Sequence, residues 1–168
     1  MIELLLNTNI SFYIGAFVQW GFLMAFLYSL VSSINNADKS IVWLSFIMAL
    51  SYSSSIFIDM DSITYFDFFL FDSITLFVII LSGFFIKISG VYIYLLFGLG
   101  INTLLFFAMY IDNDVMHHYE FWWFWWVYIV GINFTDLTMV LVFFIGKDIL
   151  KLAWLEGKLN KVFNKRAY

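Results

Sequence analysis

Cysteine and proline are missing altogether from this 168-residue chain. Without cysteine there are no disulfides, no thiolate metal sites and no thiol redox chemistry, which excludes membrane enzymes that make or reduce disulfides. Without proline the usual device for breaking a transmembrane helix is gone, and glycine alone remains to interrupt one. Charge is also scarce: Asp, Glu, Lys and Arg together make up 12% of the residues, against 64% hydrophobic. That is too little polar surface to cover a water-soluble globule of this size, so the bilayer is the expected solvent. A net charge of −4 points to no nucleic-acid partner.

The eight Lys and Arg residues fall at Lys39, at Lys87 and between Lys147 and Arg166. The apolar stretches between them are long enough to cross a bilayer, which takes about 20 helical residues. Loop cations stay on the cytoplasmic side. The distribution therefore predicts an all-α integral membrane protein of the bacterial inner membrane, with five transmembrane helices, N-terminus outside and C-terminus inside. The expected spans are 10–34, 41–58, 68–86, 91–111 and 121–146, with a cytoplasmic basic tail over 147–168. Helices are expected rather than strands, because only a helix satisfies its backbone polar groups within one segment in lipid. No basic stretch precedes the first span, so it reads as a retained helix. The aromatic run Phe121–Trp126 is expected to anchor the fifth span at the outer boundary.

The two outer loops align without gaps at an offset of 53 residues, Ile58–Phe71 over Ile111–Phe124. Acids match acids at all three acidic positions, which suggests a tandem duplicated hairpin, spans two and three repeated as four and five. If the hairpins pack side by side, Asp59, Asp61, Asp67, Asp112, Asp114 and Glu120 crowd one outer surface. Carboxylate oxygens suit a hard divalent cation. His117 and His118 in the second loop shift that preference toward Zn²⁺ or Mn²⁺. Imidazole also changes charge near neutral pH, so the same loops are candidates for sensing pH. The simpler explanation is that acids collect outside because cations are kept inside.

Asp136 stands out as an acid deep within a span, about 22 Å below Phe121 at 1.5 Å per residue. An ionisable group at that depth faces a bundle interior or a water path. Counted the same way, Gln19, Ser51, Asn102, Asn133 and Asp136 come from four spans and form a polar layer near the midplane. Such a layer either glues helices together through side-chain hydrogen bonds or carries a proton or cation. Ser29-x-x-x-Ser33, Ala49-x-x-x-Ser53 and the pair Gly98 and Gly100 predict close helix approach, within one chain or between copies.

From 147 to 166 the pattern is amphipathic at helical spacing. Lys147, Lys151, Lys158, Lys161 and Lys165, with Arg166 beyond them, flank a stripe of Leu152, Leu155, Leu159, Val162 and Phe163, and Trp154 interrupts the lysine face. Such a helix lies on anionic lipid or docks a cytosolic protein. Catalysis finds no support, since there is no nucleophile–base–acid arrangement, no glycine-rich phosphate cradle and no intramembrane histidine pair for haem. The leading expectation is a non-enzymatic, self-associating membrane subunit that signals to a cytosolic partner through its tail, an arrangement suited to a stress or phage-defence complex. One alternative is a small channel or ion-coupled carrier working through Asp136. The other is a cation or pH sensor built on the outer acids.

Overall fold

The computed structural model describes residues 8–35, 38–54 and 64–145. Among these residues it contains five α-helices and no strand. They are α1 (Thr8–Ser32), α2 (Ser40–Ser54), α3 (Tyr65–Ser82), α4 (Gly90–Tyr110) and α5 (Trp123–Ile145), with a π-helical turn over Ile111–Val115 continuing α4. Four segments are long and apolar enough to cross a membrane: Tyr13–Ser32, Tyr65–Ser82, Gly90–Val115 and Trp123–Ile145. The described part of α2 has 15 residues, fewer than the roughly 20 that a full crossing takes. Residues 55–58 of the expected second span, the basic tail from 147 onward, and Asp59 and Asp61 lie outside the described residues.

Two boundaries differ from expectation for a definable reason. α3 starts three residues before the expected Phe68, because Thr64 closes a capping box with Asp67. The Thr64 side chain accepts from the Asp67 backbone N–H, and Asp67 Oδ2 accepts from Thr64 N at 2.8 Å. Two of the N–H groups that a helix start leaves unpaired are thereby satisfied. The second acidic loop is helical in its first half, where i→i+5 bonding such as Met116 N to Ile111 O at 2.9 Å makes the π turn. The starts of α3 and α5 are consequently 58 residues apart, not 53.

Each helix packs on its sequence neighbour, and α5 also packs on α1, so the five close into a ring. Toward the lysine-bearing turns the interior is filled by Val18, Phe22, Leu44, Met48, Ile79, Leu95, Leu99, Met139 and Phe143. Toward the other end, aromatic pairs join α3 to α4 and α5, among them Phe68 on Phe106 (centroids 5.2 Å apart, stacked) and Phe106 on Tyr128 (5.7 Å, edge-on). Large apolar side chains also point outward, with Phe17, Leu104 and Phe134 each more than 60% exposed. Lipid tails are as apolar as leucine, so this exposure costs nothing in a bilayer.

Candidate functional site: a carboxylate-bearing cavity inside the helix ring

Asp136 sits within two residues of the middle of α5, and Asn102 within two of the middle of α4. Asp136 Oδ1 accepts from Tyr52 Oη at 2.6 Å and from Asn102 Nδ2 at 2.7 Å. The Asn102 amide is held in turn, because Thr135 Oγ1 donates to its carbonyl oxygen. One carboxylate oxygen thus ties α2, α4 and α5 together at mid-depth. Asn102, Thr135 and the Tyr52 hydroxyl fix where that oxygen points.

Asp136, Asn102 and Tyr52 border a cavity of about 180 Å³. All five helices contribute to its wall: Val18 and Gln19 from α1, Ser51 and Tyr52 from α2, Phe71 and Asp72 from α3, Asn102 and Phe106 from α4, and Asp136 from α5. Between α2 and α3 the wall is fastened by Ser51 Oγ and Thr75 Oγ1, 2.6 Å apart.

Four of the five expected midplane residues, Gln19, Ser51, Asn102 and Asp136, line this one cavity. Asn133 does not join them, since its amide donates to the Ile129 carbonyl of its own helix at 2.7 Å. The expectation also omitted Tyr52, Thr75 and Thr135, and above all Asp72. Asp72 lies near the middle of α3. Its Oδ2 is buried without a hydrogen-bond partner. Asp136 therefore shares the cavity wall with a second acid and is not isolated. The signal for Asp72 was in the sequence: the Thr64-x-x-Asp67 capping box starts α3 early and places Asp72 two turns inside it.

The acidic end is organised by local bonds. Asp67 is engaged in the Thr64 cap. Asp112 is buried and accepts from Trp122 Nε1 at 2.9 Å, with His118 Nδ1 at 3.3 Å from its other oxygen. Asp114 accepts from the Asn113 amide at 3.1 Å, and His117 Nδ1 lies 3.1 Å from the Tyr119 hydroxyl. His117 has a φ of 53°, in the left-handed region where the chain reverses after the π turn. Glu120 is exposed. Among the described residues no three His, Asp or Glu side chains gather in a group that could hold a metal. At the opposite end Asp38, Lys39 and Lys87 line a cleft of about 530 Å³. The Lys87 backbone N–H donates to Ser40 Oγ across it at 3.2 Å. The expected docking residues Lys147, Lys151, Leu152, Trp154, Leu155, Lys158, Leu159, Lys161, Val162, Phe163, Lys165 and Arg166 lie outside the described residues.

The described residues form an all-helical bundle around a carboxylate-bearing cavity, with four helices long and apolar enough to cross a membrane, the composition of a multi-pass membrane protein. Comparison with protein-family models, with curated proteins and with solved structures finds no match to the chain.

Proposed function

We propose that this protein is a small cation or proton channel, or an ion-coupled carrier, of the bacterial inner membrane, with Asp136 as the group that binds the moving charge. The observation that carries this reading is the position of Asp136: at mid-helix, on a cavity to which every helix contributes, and oriented by Tyr52 and Asn102. Interhelical glue alone leaves the cavity and the second acid, Asp72, without a role. The reading takes the N-terminus as outside and the lysine-bearing turns as cytoplasmic, following the placement of basic residues. Docking of a cytosolic partner on residues 147–166 rests on the amphipathic sequence pattern and is compatible with it.

The test is flux in proteoliposomes containing the full chain, with a pH-sensitive dye for protons and ion replacement for Na⁺ and K⁺. The wild type is expected to pass one of these ions above the rate of empty vesicles. Asp136→Asn keeps the shape of the side chain and removes its capacity to ionise, and is expected to lower that flux toward the level of empty vesicles. Equal flux from Asp136→Asn and wild type, with both proteins monodisperse, would show that Asp136 is only a structural link.

A further inference from the structure

The cavity has the wrong walls for a bare metal ion. Calcium takes six to eight oxygen ligands and magnesium a near-octahedral shell. Here the two carboxylates and the polar groups of Gln19, Ser51, Tyr52 and Asn102 share the wall with Val18, Phe68, Phe71 and Phe106, and apolar surface makes up most of it. The space is also large for a stripped monovalent ion. A cavity of about 150 Å³ holds a benzene molecule, and this one measures about 180 Å³.

The charge balance points the same way. Among the described residues the basic side chains are Lys39, Lys87, His117 and His118, and all four lie outside the helices. No cation of the protein itself reaches Asp72 or Asp136 within the described part of the bundle. Asp72 Oδ2 is buried without a hydrogen-bond partner. An acid with no cation of the protein beside it at this depth either keeps its proton or takes a positive partner. Aromatic faces attract the same kind of partner through their quadrupole, most strongly where water is excluded. Phe68 and Phe106, stacked on each other, and Phe71, which immediately precedes Asp72 on α3, line one part of the wall.

Resting on the reading of Asp136 as a charge-binding group, we infer that the ligand of this cavity is a small organic ammonium ion, an apolar body about the size of a benzene ring carrying one positive amine. Asp72 receives the ammonium and the phenylalanine walls receive the body. Asp136, already bonded to Tyr52 and Asn102, is the second acid on the same wall.

Benzylammonium is the probe, with benzyl alcohol as its neutral counterpart of nearly equal shape. Binding to the purified full chain is measured by equilibrium dialysis in mild detergent, beside the proteoliposome flux assay. Benzylammonium is expected to bind saturably and at least tenfold more tightly than benzyl alcohol, and to inhibit Asp136-dependent ion flux. Asp72→Asn is expected to erase that tenfold preference, and Phe106→Leu to weaken benzylammonium about three- to tenfold, the range of one aromatic pair contact. The comparison of the two probes on wild type needs no variant, so it decides even if Asp72→Asn fails to fold. Equal binding of both probes would overturn the inference, as would no binding of benzylammonium. If flux still depends on Asp136 in that case, the ion-pathway reading stands and only the ligand class falls; if flux is absent as well, both fall.

Discussion

The Ser40 hydroxyl donates to the Asp38 carboxylate, and this bond, followed by one from the Ser40 backbone N–H at 2.9 Å, holds the Asp38 carboxyl below its ordinary value of 3.8. Slight desolvation opposes the shift, and the charge of Lys87 adds a smaller pull in the same downward direction. Because the folded value is depressed, the stabilisation is complete above the unfolded value of about 3.8 and is lost as pH falls through the folded one. Ser40→Ala is expected to move the Asp38 midpoint upward in a carboxyl-carbon NMR titration. An unmoved midpoint would show that Ser40 does not set it. The same residue-level reasoning separates the two cavity acids. Asp136 was legible because it interrupts a long apolar run far from either end of it. Asp72 was not, because counting the span from Phe68 leaves it only four residues inside, where an acid reads as interfacial. Recognising Thr64 as the cap moves the boundary back and the acid inward. Tyr52 was hidden for another reason: a tyrosine within an apolar helix carries no polar signature until a partner such as Asp136 is placed beside its hydroxyl.

Among the helices, α4 and α5 approach through small residues, and the structure distinguishes two glycines that the sequence presents as a pair. A Cβ on Gly98 would lie 2.5 Å from Met139 Sδ and 2.6 Å from its Cγ, whereas a Cβ on Gly100 would meet nothing within 4 Å. Replacing glycine by alanine in a helix gains about 1 kcal/mol from propensity alone. Overpacking a filled contact costs about 1–3 kcal/mol. Gly100→Ala is therefore expected to raise the thermal unfolding midpoint in detergent. Gly98→Ala is expected to lower it, and to lower it less when introduced into a Met139→Ala background, where the close contact is absent. A Gly98→Ala protein as stable as Gly100→Ala would mean that Met139 yields freely and that the α4–α5 contact is loosely packed. Helix existence and approximate length were legible from the apolar runs between charges. The π turn at Ile111–Val115 was not, because it depends on Asp112 reaching Trp122 and on the backbone of His118 donating to the Asp112 carbonyl, contacts that exist only once the loop has folded back.

At the scale of the molecule, the closure of the ring by α1 on α5 was beyond sequence reasoning. In a bilayer the residues that face lipid and those that face neighbouring helices are equally apolar, so no amphipathic stripe marks the inner side. Alternation was legible, since short turns force successive helices to reverse. It places the turns carrying Lys39 and Lys87 on one cleft at one end, while Asp112, His118 and Tyr119 follow α4 at the other. Basic turns resist translocation, so the first end is expected to face the cytoplasm and the second the outside. The absence of native cysteine lets this be tested with single substitutions in an otherwise unaltered chain. Asn35 and Tyr119 are both exposed, one at each end. In intact bacterial cells a membrane-impermeant maleimide is expected to label Tyr119→Cys readily and Asn35→Cys only after permeabilisation. Labelling of Asn35→Cys in intact cells, with Tyr119→Cys protected, would invert the bundle. A ligand reaching the cavity from outside would then enter past the two lysines rather than past the acids and the tryptophans. The first route repels an ammonium ion and the second attracts it, so the same labelling result decides from which side the site fills most readily.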